Sequence, residues 1–405
     1  MLRTRLAATV VAAAALTAPL IGPADAAPKV RVPGPAAGMT LFATHPMASK
    51  TAFDSSAPDQ MNGGTYCDTG KLCPVGRTII DMNVDRNGQL VAGYGDWGYN
   101  ADTHTVPEGR IAAVPLDLTT AGWGTPHLVY SEAIEVVRRA PDGSLWIPKT
   151  DPSGYAEARS GVATNASGTW RNIDDGLNMI HTFDVSVGEG GSVWLFGARY
   201  AAAGASGVVA TSTGTSAFAA SLEHRDEGLL DWSRFYSGVL TPDGTVHAGM
   251  SWSVGTFVLK SGSWQQDTGR ALSQQPRLTE RFAGGYVTVP WVRPVYVAGG
   301  VQRELGYPEG ISLSATVRDL YVDFDGALFY LADTTVVRVD PTTLESRIIA
   351  TGVDGTSIVV HGGRVYAGST EGRIFRSVAL DTDGVADELT TAPAPTKGKG
   401  GGRKG

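Results

Sequence analysis

The chain has 405 residues, a modest net charge of −7 and only 18% charged residues, so nucleic acid is not an expected partner. The 52 glycines are typical of a turn-rich all-β protein.

The N-terminus predicts a secretory signal peptide over residues 1–26. Arg3 and Arg5 form a basic start, an apolar stretch runs from Leu6 to Ile21, and Ala24-Asp25-Ala26 has the pattern of a cleavage site. The apolar stretch is short for a membrane span, and no longer one follows it. We therefore expect a secreted, extracellular protein that begins near Ala27 and has no transmembrane segment.

The two cysteines, Cys67 and Cys73, lie in the glycine-containing stretch YCDTGKLC. In an oxidising compartment this spacing predicts a disulfide that closes a small surface loop. A metal site with thiolate ligands is the alternative, but no histidine lies nearby. We expect the disulfide, with no metal site and no cofactor.

A pattern of two β-rich runs joined by a glycine-containing turn occurs seven times along the chain. The turn glycines, 37 to 55 residues apart, are Gly88, Gly143, Gly191, Gly244, Gly285, Gly326 and Gly363. This period and this hairpin chemistry predict a seven-bladed β-propeller of four-stranded antiparallel blades, in one domain over residues 27–380. The last blade lacks a fourth strand, and an unpaired strand at Met39–Ala43 precedes the first. We expect that strand to complete the last blade and close a monomeric ring.

The topology places the loops on two rims. The starts of the first strands, the loops between second and third strands, and the connections between blades share one end of the ring, here named the entry rim. The turns between first and second strands lie at the opposite end, the hairpin rim. The entry-rim loops of the first four blades are rich in aromatic and polar residues, whereas those of blades five to seven are plainer. Binding residues concentrate on such loops, which predicts a site at the entry rim.

Charged side chains near the first-strand starts should converge on the axis. They fit a hydrated structural channel, or a ligand site with acidic, basic and imidazole groups. The catalytic candidates are Asp96, Glu132, Glu135, His181 and Asp184. The substrate-binding candidates are Trp97, Asn100, His104, Lys149, Asp151, Arg199, Tyr200, Arg234 and Trp252. Aromatic faces beside carboxylates and amides suit sugar rings, because rings stack on them while hydroxyls form directed hydrogen bonds.

Two segments, Ser167-Gly168-Thr169-Trp170 and Ser261-Gly262-Ser263-Trp264, resemble the ends of the Asp-box hairpins of sialidase-like propellers. The resemblance implies hairpins of that kind between third and fourth strands. The Asp of the box is absent here, and neither an arginine triad nor a Tyr-Glu pair stands at matching positions. The resemblance therefore does not imply sialidase activity.

We interpret the chain as a secreted propeller enzyme acting on extracellular glycans, either a hydrolase with two carboxylates or a lyase with a base and a cation. A propeller that binds a polysaccharide or a protein without catalysis is the alternative. A metal-dependent phosphoester hydrolase using Asp96, His104 and His181 is a second one. Residues 381–405 end in a glycine-, proline- and lysine-rich sequence that predicts a disordered tail.

Overall fold

A computed structural model describes residues 36–44, 78–95, 112–129, 131, 134–150, 160–201, 204–214, 217–225, 233–250 and 254–380. The predicted signal peptide, the tail and both cysteines lie outside these ranges and stay predictions. No helix within the described ranges is long and apolar enough to cross a membrane.

The described residues form seven four-stranded antiparallel sheets, as the hairpin repeat predicts. The first four blades contain β2 (Thr78–Val84), β3 (Leu90–Gly95), β4 (Ala112–Leu116) and β5 (His127–Leu128); β6 (Arg138–Arg139), β7 (Leu145–Lys149), β8 (Gly161–Thr164) and β9 (Arg171–Asp174); β10 (His181–Val187), β11 (Ser192–Ala201), β12 (Gly204–Thr213) and β13 (Ala219–His224); β14 (Ser237–Leu240), β15 (Val246–Gly249), β16 (Thr256–Lys260) and β17 (Ser263–Asp267).

The last three blades follow the same order. They contain β18 (Thr279–Phe282), β19 (Gly285–Thr288), β20 (Val295–Ala298) and β21 (Val301–Glu304); β22 (Val317–Val322), β23 (Leu328–Ala332), β24 (Thr335–Val339) and β25 (Ser346–Thr351); β26 (Ser357–His361), β27 (Arg364–Gly368), β28 (Arg373–Arg376) and β1 (Thr40–Thr44). A short 3-10 helix, Pro276–Leu278, precedes β18.

The ring closes through an N-terminal strand, as the sequence predicts. This strand, Thr40–Thr44, begins one residue after the predicted start at Met39. β1 pairs antiparallel with β28, so that Leu41 lies opposite Phe375 and Thr44 opposite Arg373. The inner strands contact their neighbours from β10 to β26, β26 contacts β2, and β2 contacts β6. Strand β1 therefore covers the edge that β28 would otherwise leave unpaired.

Turn chemistry explains the hairpins. Gly88, Gly143 and Gly191 all have φ of 75°, a conformation that residues with a Cβ rarely adopt. In the fifth blade the positive φ of 78° falls on Gly284, so the turn lies one residue earlier than predicted and Gly285 already begins β19. The core consists of the apolar faces between neighbouring blades, with Val, Leu, Ile and Phe on the inner and middle strands.

Candidate functional site

The structure describes some of the predicted site residues and not others. Asp96, Trp97, Asn100, His104, Glu132, Asp151, Trp252 and the side chain of Tyr200 lie outside the described part and stay predictions. The described candidates are Glu135, Lys149, His181, Asp184, Arg199 and Arg234.

Asp184 follows a bulge in β10 and is fully buried. Its Oδ1 accepts hydrogen bonds from Arg138 Nε at 2.9 Å and the Val185 amide at 2.8 Å. Its Oδ2 accepts from Arg138 Nη2 at 2.8 Å and the Gly238 amide at 2.9 Å. Burial raises the pKa of Asp184, and Arg138 opposes that rise. Because all four partners are N–H donors, they favour the ionised carboxylate.

Arg138 connects three blades across the axis. Beyond Asp184, its Nη1 donates to Glu280 Oε1 at 2.5 Å and its Nη2 donates to the carbonyl of Pro276 at 2.8 Å. Burial acts to lower the pKa of Arg138, but Asp184 and Glu280 raise it further above its usual range. We call Arg138, Asp184 and Glu280 the axial ion-pair cluster. Neither Arg138 nor Glu280 was among the candidates, although a basic doublet, Arg138-Arg139, in an apolar first strand signals a buried partner.

Asp184 belongs to a repeated arrangement. Asp81 in β2 and Asp319 in β22 also follow bulges. Asp81 Oδ2 accepts from the Val137 amide at 2.6 Å, and Asp319 Oδ2 accepts from the Ile358 amide at 2.7 Å. Each carboxylate thus accepts a backbone N–H at, or one residue before, the first strand of the next blade, which is a structural role for inward-facing acids.

Glu135 is the described candidate with the most perturbed environment. Burial raises its pKa to about 8, with Arg277 opposing the rise and Asp184 adding to it. Burial also raises the pKa of Asp81 to about 6 and that of Asp319 well above its usual range. Glu135 is therefore mostly protonated at pH 7, and the carboxylate oxygens of Asp184 accept four N–H hydrogen bonds.

Two predicted substrate ligands instead form ion pairs within their own blades. Lys149 is almost fully buried, and its Nζ lies 3.0 Å from Asp174 Oδ1 in the outer strand β9. Arg199 Nε donates to Glu223 Oε1 at 3.0 Å across β11 and β13. Both cations are therefore paired with an acid on the outermost strand of their own blade.

His181 and Arg234 are brought together through an aromatic residue that the sequence did not single out. The His181 ring stacks on Phe183 with centroids 5.1 Å apart, and Phe183 lies 5.2 Å from the Tyr236 ring. Arg234 Cζ lies 5.8 Å from the centroid of Phe183. This group, the His181 aromatic row, joins the starts of β10 and β14 near the entry rim.

The fifth blade adds an exposed apolar surface at the entry rim, where plainer loops were expected. Trp291 is 66% exposed in the loop between β19 and β20, and Leu313 is 67% exposed in the connection from β21 to β22. Tyr307 Oη lies 2.9 Å from the carbonyl oxygen of Val292 and 3.0 Å from that of Ala315, and its single O–H shared between them ties the two segments together. The sequence signal was the tryptophan in PWVRP, a short loop segment flanked by two prolines.

No group of three or more His, Cys, Asp or Glu side chains in the described ranges is arranged to hold a metal ion. Of the three residues considered for metal-dependent phosphoester hydrolysis, only His181 is described, where it stacks on Phe183.

The comparisons with known proteins concern the fold alone. No known family model and no curated protein matches the chain. Among solved structures, streptogramin B lyase has a TM-score of 0.51 at 9% identity, with 85% of this chain and 97% of that chain covered. Virginiamycin B lyase from Staphylococcus aureus has a TM-score of 0.49 at 10% identity, with 75% and 95% covered.

A third similar structure is the extracellular domain of a provisionally assigned hybrid two-component system from B. thetaiotaomicron. It has a TM-score of 0.48 at 12% identity, and 74% of this chain is covered. The match spans only 39% of that chain. At 9% identity the similarity to streptogramin B lyase supports the fold alone and carries no information about ligand or activity.

Proposed function

We propose that the protein is an extracellular propeller that binds a glycan at its entry rim without chemical turnover. The observation that carries this proposal is the hydrogen bonding of Asp184. A nucleophile or general base needs a carboxylate oxygen that can reach the substrate, and both oxygens of Asp184 are occupied by N–H donors inside the ring. With Asp81 and Asp319 joining blades in the same way, the described aspartates of the first strands act as structural groups.

The aromatic groups support a glycan as the ligand. Trp291 offers an exposed ring at the entry rim, and Tyr236 belongs to the partly buried His181 aromatic row in the neighbouring blade. Apolar faces of sugar rings stack on such side chains, and Arg234 and Tyr307 can form hydrogen bonds with hydroxyls. Trp97, Asn100 and Trp252 are proposed to extend this surface from the first and fourth blades.

A panel of plant, algal and bacterial polysaccharides tests the proposal by direct binding to the full chain. With the best ligand, Trp291→Ala should bind three- to tenfold more weakly, because a lost stacking contact is worth about 0.5 to 1.5 kcal/mol. Its Tm should not change, since the ring is largely exposed. Val301→Ala is the control, because Val301 is 69% exposed but lies in the outer strand β21. Equal binding by both variants would contradict a site at Trp291.

One observation favours a second candidate, a glycan hydrolase or lyase. Glu135 retains its proton near neutral pH, which a general acid must do before it protonates a leaving group. Glu132 and Asp96 would then supply the second carboxylate. Reducing ends would report hydrolysis, and absorbance of unsaturated products would report a lyase.

A further inference from the structure

A cavity of about 370 Å³ lies on the ring axis at the hairpin rim, opposite the glycan surface proposed above. Arg138 and Glu280 of the axial ion-pair cluster line it from within the ring. Residues of the first-to-second-strand hairpins, including Gly143, Glu189 and Gly326, line it at the rim. Its volume is near the lower end of the range for small-molecule sites, which suits one ring-sized ligand.

One acid on the cavity wall has a carboxylate oxygen without a hydrogen-bond partner among the described residues. Asp323 is 4% exposed, its Oδ1 accepts from the Ala327 amide at 2.8 Å, and its Oδ2 is buried with no hydrogen-bond partner among the described residues. Asp85 occupies the same position of the hairpin in the first blade, three residues before the turn glycine. Its Oδ1 accepts from the Asn87 and Gln89 amides, and its Oδ2 is within 3.4 Å of the Asn87 and Asn165 side-chain amides. Asp85 does not line the cavity, and the two equivalent hairpin positions differ because the second carboxylate oxygen has side-chain partners at Asp85 and none among the described residues at Asp323.

The cavity is lined by equal numbers of arginines and acids. Its lining includes three arginines, Arg138, Arg139 and Arg281, and three acids, Glu189, Glu280 and Asp323. Arg281 Nη2 lies 3.0 Å from Glu189 Oε1, and the Glu189 side chain is 72% exposed. Arg139 stacks over the Phe324 ring, with Cζ 4.0 Å from its centroid. Burial raises the pKa of Asp323 to about 7, so this acid is only partly ionised at neutral pH. Arg138 is paired with Glu280 and Arg281 with Glu189, so the lining offers hydrogen-bond donors and acceptors that hydroxyl groups can use.

We propose that this axial cavity is a second binding site, for a single uncharged sugar ring. A ligand hydroxyl donates to the Asp323 carboxylate, and neighbouring hydroxyls accept from Arg281 or Arg139. The site is separate from the entry rim and does not depend on glycan binding there.

The test is titration of the full chain with D-glucose, D-galactose and D-mannose, followed by calorimetry and ligand-observed NMR. Glucosamine and glucuronate serve as positively and negatively charged probes. We expect at least one neutral hexose to bind, and both charged analogues to bind at least tenfold more weakly. Asp323→Asn should weaken hexose binding tenfold or more, because the amide replaces an acceptor oxygen by a donor.

Asp85→Asn is the matched control and should bind the hexose like the unmodified chain, whatever its effect on Tm. Trp291→Ala should leave unchanged the part of hexose binding that Asp323→Asn removes, which separates this cavity from the entry rim. Three results would each overturn the proposal: no neutral hexose binding, a charged analogue binding as well as the best hexose, or equal binding by the Asp323 and Asp85 variants.

Discussion

A buried carboxylate is stable only when its charge is compensated, and Asp184 receives that compensation from Arg138 and two backbone amides. Arg138 is itself held by Glu280 and the Pro276 carbonyl, so loss of one charge leaves the others unbalanced. At this scale the inward-facing acids behave as parts of the scaffold.

Replacing Asp184 by Asn should lower the free energy of unfolding by about 3 kcal/mol or more, because it leaves the buried Arg138 short of a counter-charge. Chemical denaturation monitored by circular dichroism measures this loss. Asp354→Asn is the control, since that side chain is 89% exposed in its pair with Arg318 and should cost less than about 1 kcal/mol. Similar losses for the two variants would show that the axial ion-pair cluster does not stabilise the ring.

Glu135 should make the ring less stable as pH rises. Its pKa is about 8 in the folded chain against an ordinary 4.5, so folding favours the protonated form. Its contribution to the free energy of unfolding is fully present below pH 4.5. This contribution is lost progressively as pH rises from 4.5 through 8, at about 1.4 kcal/mol per pH unit. Asp81, with a pKa of about 6, acts in the same direction.

Melting curves between pH 5 and 9 test this dependence. The unmodified chain should lose stability over that interval, and Glu135→Gln should show a flatter profile because its amide does not ionise. If both profiles have the same slope between pH 5 and 8, burial does not hold the proton on Glu135.

At the scale of single elements, the hairpin turns depend on backbone conformation more than on packing. Gly190 and Gly191 are adjacent in the turn before β11, and a Cβ at either position would meet nothing within 4 Å. Only Gly191 has a positive φ, 75°. Gly191→Ala should therefore cost about 1 kcal/mol, whereas Gly190→Ala should be neutral or slightly stabilising. Thermal melts of the two variants check this, and equal effects would mean that the turn is not left-handed at Gly191.

The closing strand β1 should be anchored by one side chain. The ring centroids of Phe42 and Tyr366 are 5.5 Å apart, and Arg376 Cζ lies 4.4 Å from the centroid of the Phe42 ring. Phe42→Ala should lower the free energy of unfolding by about 2 kcal/mol through lost ring packing. Leu41→Ala should change it by less than about 0.5 kcal/mol, because Leu41 is 57% exposed. Unfolding curves that rank the two variants the other way would contradict the register of β1.

The elements were predictable because their signals are local. Turn glycines such as Gly88 and Gly244 stand beside the β-rich runs they connect, and local spacing suffices to count the blades. The ion pairs on the axis could not be predicted from the sequence. Arg138 and Glu280 are separated by 142 residues and meet only when the ring closes. His181 and Arg234 were chosen from sequence as site residues, but the Phe183 ring that joins them was not, since an apolar residue in a first strand is typical of the core.

For the whole molecule, the closed ring separates two surfaces. The entry rim carries Trp291 and the His181 aromatic row, and the hairpin rim opens into the axial cavity. Between them, the ion-pair cluster and the joining aspartates occupy the axis. Binding is therefore proposed at the two ends of the ring, and the ion pairs and joining aspartates between them stabilise it.

The most direct test of this assignment is a product assay on the polysaccharide that binds most tightly, with the unmodified chain and Glu135→Gln compared at pH 5 to 8. Reducing ends and unsaturated products are measured alongside binding. We expect the polysaccharide to be recovered unchanged and the variant to bind with the same affinity. Product formation by the unmodified chain that falls a hundredfold or more in Glu135→Gln would contradict the account and establish Glu135 as a catalytic acid.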